Sequence, residues 1–316
     1  GHAPRAQGQM NELDAVRLNF TPESLIALDV ILAFVLFGVA LDMRVADFKG
    51  ILTSPRGTLI GLLAHSVLLP AVAFALTMVL KPAPSIALGM ILVASCPSGN
   101  ISNFLVNYGH GNTALSVTIA AFSMLGSIVF TPFNLSFWGE LNPHTRPILH
   151  AVTLSPWEVF GTIVVLLAIP TALGMYTAQH WPALAHRIRR PLRALSLVFF
   201  AAFVVGALAM NWDFFLKYVE RVVLFVFLLN AFALLTGYLT AKAARLPEAD
   251  RRAVALEVGI QNSGFGLVLV FNFFGGLGGM AIVAAWWGIW HIVVGTSLAA
   301  WWRRHPPTPL PAGAAA

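Results

Sequence analysis

The sequence predicts an all-α polytopic membrane protein of about nine transmembrane helices, arranged as inverted repeats with two broken, crossing helices. Three observations predict it. Charge is scarce: Asp, Glu, Lys and Arg make up 10% of the 316 residues, against roughly 25% in a soluble domain. Apolar residues make up 58% and gather in runs close to the ~20 residues a helix needs to cross a bilayer. Those runs are apolar on every side, as in 26–41 and 222–235, where a transmembrane β-strand would alternate apolar and polar positions.

Charged or Pro/Gly-rich breaks separate nine segments. The first, 25–41, follows an N-terminal stretch, 1–24, whose opening residues 1–9 read as a tag scar and lack the apolar core of a signal peptide. The second, 57–80, runs from Pro55-Arg56 to Lys81-Pro82, and the third, 85–107, to the polar turn Gly109-His110-Gly111. The fourth, 112–137, is closed by a stretch rich in Gly, Asn, Pro and His, beyond which lies the fifth, 155–178. An Arg-rich run precedes the sixth, 192–212, and Lys217 the seventh, 219–241. The eighth, 253–274, begins after Arg251-Arg252. The ninth, 280–302, is crowded with Trp286, Trp287, Trp290, Trp301 and Trp302, the last two reading as an interfacial anchor before a cytoplasmic tail, 303–316.

Lys and Arg fall between the segments or at their ends, and so orient the chain. Arg5, Arg17, Lys81, Arg146, Lys217 and Arg221 share a side with the N-terminus; the other thirteen of the nineteen lie opposite. The excess marks the cytoplasm, so the N-terminus is expected outside and the C-terminus inside a plasma (bacterial inner) membrane. The same excess accounts for the pI of about 10.0, leaving no reason to invoke nucleic acid. A single cysteine, Cys96, excludes a disulfide scaffold.

Two segments contain what a membrane helix ordinarily avoids. The third carries Ser95-Cys96-Pro97-Ser98-Gly99-Asn100-Ile101-Ser102-Asn103, and the eighth carries Glu257-Val258-Gly259-Ile260-Gln261-Asn262-Ser263-Gly264. Irregular backbone at membrane depth is tolerated only where protein or a watery cavity surrounds it. The two segments lie five spans apart and cross in opposite directions, the signature of an inverted-repeat transporter with its site between the breaks. Glu257 sharpens that reading. It is a deep carboxylate with no Lys or Arg inside a span to pair with, leaving a cation, a proton, or hydroxyl and amide donors as partners. The oxygen-bearing neighbours Ser102, Asn103, Ser116 and Gln261 suit a hard cation such as Na⁺.

On these residues the chain resembles the bile acid:sodium symporter family. The matches are Cys96-Pro97-x-Gly99 followed by Ser102-Asn103, Gly111-Asn112-x-Ala114-Leu115-Ser116, and Glu257 through Gly264, with weaker ones at Asp47-Phe48, Leu69-Pro70 and Trp290-His291. The resemblance implies a core of 85–137 and 253–302 rocking against a panel of 25–80 and 155–241. It implies a first Na⁺ site at Ser102, Asn103, Ser116 and Glu257. A second would draw on His65, Glu257, Val258, Ile260 and Gln261, with substrate near Asn100, Asn262 and His291.

The chain departs from that pattern twice. Ala120, one turn after Ser116, stands where a hydroxyl is usual, and His65 stands where an amide is usual, which opens a proton role for His65 with Glu257. The expected function is cation-coupled symport, by Na⁺, H⁺ or both, of an organic anion, bile-acid-like or a small carboxylate, by alternating access. No cofactor and no obligate protein partner are implied beyond the coupling ion, the anion and the bilayer. An arsenite-exporter-like transporter, in which Cys96 would matter, is the nearest rival. An intramembrane enzyme or receptor is more distant, since no His-Glu-x-x-His or Gly-x-Ser-x-Gly motif occurs.

Overall fold

The computed structural model describes residues 14, 22–41, 43, 45–99, 101–151, 161–210 and 212–307. Most of the N-terminal stretch, Asn100 and the tail beyond 307 thus lie outside the described residues. The main helices are α1 (Pro22–Ala40), α2 (Pro55–Leu80), α3 (Pro84–Ser95), α4 (Ser102–Tyr108), α5 (Thr113–Leu141), α6 (Gly161–His180), α7 (Pro182–Met210), α8 (Trp212–Ala243), α9 (Glu248–Gly259), α10 (Ser263–Phe274) and α11 (Gly278–Arg304). Among the described residues, five helices are long and apolar enough to cross a membrane: α2, α5, α6, α11 and residues 222–243 of α8. Leu25–Ala40, α3 and α10 are shorter apolar helices. Where described, every expected segment is helical, and the third and eighth are each split in two, as α3–α4 and α9–α10.

Several basic residues expected in loops lie on helices instead. The helix of the sixth expected segment, α7, begins at Pro182, so Arg187, Arg189 and Arg190 are helical; proline at a first helical position is preorganised to start one. Lys217 lies on α8 and Arg303 and Arg304 in the last turn of α11, where cations oppose the negative helix end. Arg252 is 5% exposed. It donates to Glu248, to the Gly109 and Trp302 carbonyls and to the His305 carbonyl, and lies over the Trp302 ring. The expected Trp anchor is therefore divided: Trp301 is exposed, while Trp302 turns inward beneath Arg252 and stacks on Tyr238.

Proline sets two local distortions. Pro70 and Pro170 lack the N–H that would close a helical turn, and a five-residue π turn precedes each one's helical turn, at Ala64–Leu68 and Val164–Ala168. The Ser66 carbonyl, four residues before Pro70, is capped instead by Asn134 Nδ2 of α5 at 2.9 Å.

Small residues decide which helices approach closely. In α6, Gly174 faces Ala40 and the Phe37 carbonyl, and Gly38 of α1 faces Leu192 of α7, so α1, α6 and α7 pack together. In α8, Gly237 lies against the Val254 carbonyl and Ala255 Cα, and Asn230 Nδ2 donates to the Gly259 carbonyl at 2.8 Å. On α2, Gly57 and Gly61 face Leu115 and Ile119 of α5. By these contacts α2 sits against α5, and α8 against α9.

Candidate functional site

The two breaks meet. Ser98 and Gln261 form an isolated antiparallel bridge, with Gly99 N donating to the Ile260 carbonyl and Asn262 N to the Pro97 carbonyl, each at 2.8 Å. Both breaks thereby satisfy backbone groups that lipid would leave orphaned. Gly99 suits this crossing, because a Cβ would sit 3.0 Å from the Gln261 carbonyl oxygen, tighter than an ordinary contact. Further capping comes from α5: Thr131 Oγ1 donates to the Ser95 carbonyl at 2.6 Å, and Ser123 Oγ accepts from Ser98 N at 3.2 Å. Asn262 caps α10 by accepting from Phe265 N, as Asn112 caps α5 by accepting from Leu115 N.

Glu257, on the last turn of α9, is fully buried, and no Lys or Arg pairs with it among the described residues. Ser116 donates to its Oε1 and Ser98 to its Oε2, and Ser102 also hydrogen-bonds it. Ser116 Oγ also lies 2.7 Å from Asn103 Oδ1. The residues expected for the first site therefore gather on one carboxylate, from α4, α5 and α9. Ser98 joins them from the break itself, and sequence reasoning missed it, although it lies inside the quoted Cys-Pro-x-Gly motif.

Both Glu257 oxygens, Asn103 Oδ1 and the hydroxyls of Ser98, Ser102 and Ser116 make six close oxygens, with three hydroxyl protons shared among them. An oxygen-rich, water-excluded cluster around a carboxylate fits a hard monovalent cation.

The residues of the second expected site are also adjacent. Gln261 Nε2 donates to the Val258 carbonyl at 2.7 Å and lies 3.5 Å from His65 Nδ1, which leaves Gln261 Oε1 buried without a partner. The His65 ring, in the π turn of α2, also hydrogen-bonds the Glu257 and Cys96 carbonyls, so it braces α2 against both breaks. Cys96 is buried, its thiol donating to the Leu92 carbonyl.

Of the expected substrate residues, Asn262 Nδ2 and His291 Nδ1 are buried and unpartnered, as are the indole nitrogens of Trp286, Trp287 and Trp290. His291 meets the Trp287 ring edge-on, centroids 6.2 Å apart. On the same helix, Gly288 faces Ser263 and Gly295 faces Ile260, which turns this stretch of α11 toward the second break.

Comparison with known proteins decides the family. The sodium bile acid symporter family model matches residues 29–218. The chain belongs to this family. It is 30% identical over 275 residues to the uncharacterized sodium-dependent transporter YocS of Bacillus subtilis, covering 87% of this chain and 82% of that one. It is 27% identical over 279 residues to the probable sodium/metabolite cotransporter BASS1, chloroplastic, of Arabidopsis thaliana, covering 88% and 67%. With the ileal sodium/bile acid cotransporter of Homo sapiens it shares 27% identity over 239 residues, covering 75% and 66%. This symporter-family protein is a multi-pass membrane transporter and not an enzyme.

Proposed function

We propose that the protein couples the movement of Na⁺ to that of an organic anion, by alternating access in a plasma membrane with the N-terminus outside and the C-terminus in the cytoplasm. The observation that carries this reading is the oxygen-rich cluster around a buried Glu257 with no Lys or Arg beside it, at the point where two broken antiparallel helices pair. Ser102, Asn103, Ser116 and Glu257 hold one ion. The orphan oxygen of Gln261, with the Val258 and Ile260 carbonyls and Glu257, serves a second, and His65 braces it.

The anionic character of the cargo is supported by groups of the opposite polarity. An indole nitrogen can only donate, and unpartnered donors at Trp287, Trp290 and Asn262 lie on the second break or on α11, which faces it. The N-terminus of the twelve-residue α10 adds partial positive charge there. Packing supports a division in which α1, α6 and α7 move as one body against the remaining helices. Asp29 of α1, accepting from Asn272 Nδ2 of α10 at 2.8 Å, makes a contact across that divide.

The test is uptake into proteoliposomes of labelled cholate, pantoate and a keto acid, with an inward Na⁺ gradient or an equal K⁺ gradient. Uptake of at least one carboxylate that needs Na⁺ is expected. Carboxylate uptake at the same rate in K⁺ refutes the coupling, and failure of every carboxylate with Na⁺ refutes the cargo class.

A further inference from the structure

Ser98 belongs to neither ion site expected from the sequence, yet it touches both. Its side chain is 3% exposed, and its backbone is held on two sides, by the bridge to Gln261 and by Ser123. Its hydroxyl reaches Glu257 Oε2 and lies 3.4 Å from Ser102 Oγ and 3.4 Å from the Ile260 carbonyl oxygen. One hydroxyl has one proton. Spent on the carboxylate, it leaves the lone pairs of Ser98 facing two further oxygens in a buried space. The Ser102 hydroxyl can answer one of them with its own proton; the Ile260 carbonyl oxygen can only accept, and a cation would relieve that contact.

Helix α5 does not supply an alternative. Its face toward Glu257 offers the Ser116 hydroxyl, and the residue one turn further, Ala120, has no oxygen. The extended break between α3 and α4 delivers the missing hydroxyl from the other side. It does so on backbone whose position is set by the opposing break.

We propose that the Ser98 hydroxyl is a direct cation ligand, placed between the Glu257 carboxylate and the Ile260 carbonyl so that one side chain joins the two ion positions. This rests on the Na⁺-coupled reading above. It adds that ion occupancy is felt at the bridge between the breaks, because the ligand and the bridge are the same residue.

The experiment uses the full chain in detergent and follows its unfolding temperature while NaCl replaces choline chloride at constant ionic strength. Ser98→Ala is expected to raise the Na⁺ concentration for half-maximal stabilisation about tenfold or more, the effect of losing one contact to a charge. Its unfolding temperature in choline is expected to fall, because Glu257 loses one hydrogen bond there, and the comparison rests on the Na⁺ response alone. Ser98→Thr, which keeps the hydroxyl, is expected to hold the half-maximal concentration within about threefold.

A Ser98→Ala protein with the wild-type Na⁺ response overturns the proposal, whether or not its stability in choline falls, because a purely structural hydrogen bond would behave that way. If Ser98→Ala does not fold, Ser98→Gly carries the same comparison. A wild-type protein that shows no Na⁺-specific stabilisation overturns the Na⁺ reading itself, and the proposal with it. The two failures are thus told apart by the wild-type curve.

Discussion

Replacing Glu257 with glutamine separates a residue that builds the fold from one that binds an ion. Burying a carboxylate costs several kcal/mol even after relaxation. Against this, the hydroxyls of Ser98, Ser102 and Ser116 each contribute about 1.5–3 kcal/mol as hydrogen bonds to a charged group. Glutamine keeps the size and one acceptor oxygen. Its amide donates to whichever serine loses its carboxylate oxygen, once that hydroxyl rotates. The weakened hydrogen bonds and the relieved desolvation are of similar size, so in choline the variant is expected within about 1 kcal/mol of wild type, or above it. In Na⁺ the two diverge: wild type gains about 2.7 kcal/mol at a concentration one hundred times its Kd, and Glu257→Gln gains nothing. The assay is thermal unfolding in detergent across a NaCl series, with uptake into proteoliposomes beside it. A variant that keeps the wild-type Na⁺ shift places the ion elsewhere. A variant several kcal/mol less stable in choline makes Glu257 a structural keystone, and the cation reading loses its main support.

Arg252→Ala removes the donor that serves three carbonyls at the ends of α4 and α11 and is expected to cost about 1–3 kcal/mol; Arg252→Lys, with one compact ammonium, should fall between, and an unchanged unfolding temperature for Arg252→Ala counts against its role in holding these ends together. Gly237→Ala sets a Cβ 2.7 Å from the Val254 carbonyl oxygen and 2.8 Å from Ala255 Cα, backbone atoms that cannot step aside, so a loss of about 1–3 kcal/mol is expected, read from the same melts. His65→Gln restores an amide at a position that now braces α2 through the Glu257 and Cys96 carbonyls. If His65 carries a proton, Na⁺-driven uptake at fixed pH changes in this variant, and identical rates remove that role.

The class, the helical segments and the two breaks were legible because the bilayer enforces simple rules: apolar residues cross it, and polar backbone inside it needs partners. Glu257, Ser102, Asn103 and Ser116 were legible as a set through the family resemblance, and they converge in space. What stayed hidden depended on the third dimension. Arg252 reads as one more cytoplasmic charge, and only the convergence of the ends of α4, α9 and α11 makes it a buried fastener. Ser98 occupies the variable position of a motif and gains its meaning from Glu257, 159 residues away. The close packing of α8 on α9 depends on glycine contacts such as Gly237 with Val254, which helical period alone does not assign.

Polar groups within the apolar helices divide into two kinds, and the division bears on function. Thr131, Asn134 and Asn230 each donate to a carbonyl that a proline or a break has freed, at Ser95, Ser66 and Gly259. They make irregular backbone tolerable in a solvent that offers no hydrogen bonds. Gln261 Oε1 and Asn262 Nδ2, by contrast, are buried with nothing to bond, at a cost of about 1–3 kcal/mol each. Thr58 Oγ1, Ser85 Oγ and Asn230 Oδ1 are also buried without a partner, but Gln261 and Asn262 stand on a break. An acceptor left over beside the carboxylate and donors left over on the second break and α11 fit a site where a cation and an anion arrive together. On the proposed reading, each would neutralise groups that the other leaves stranded, a physical basis for coupling their transport.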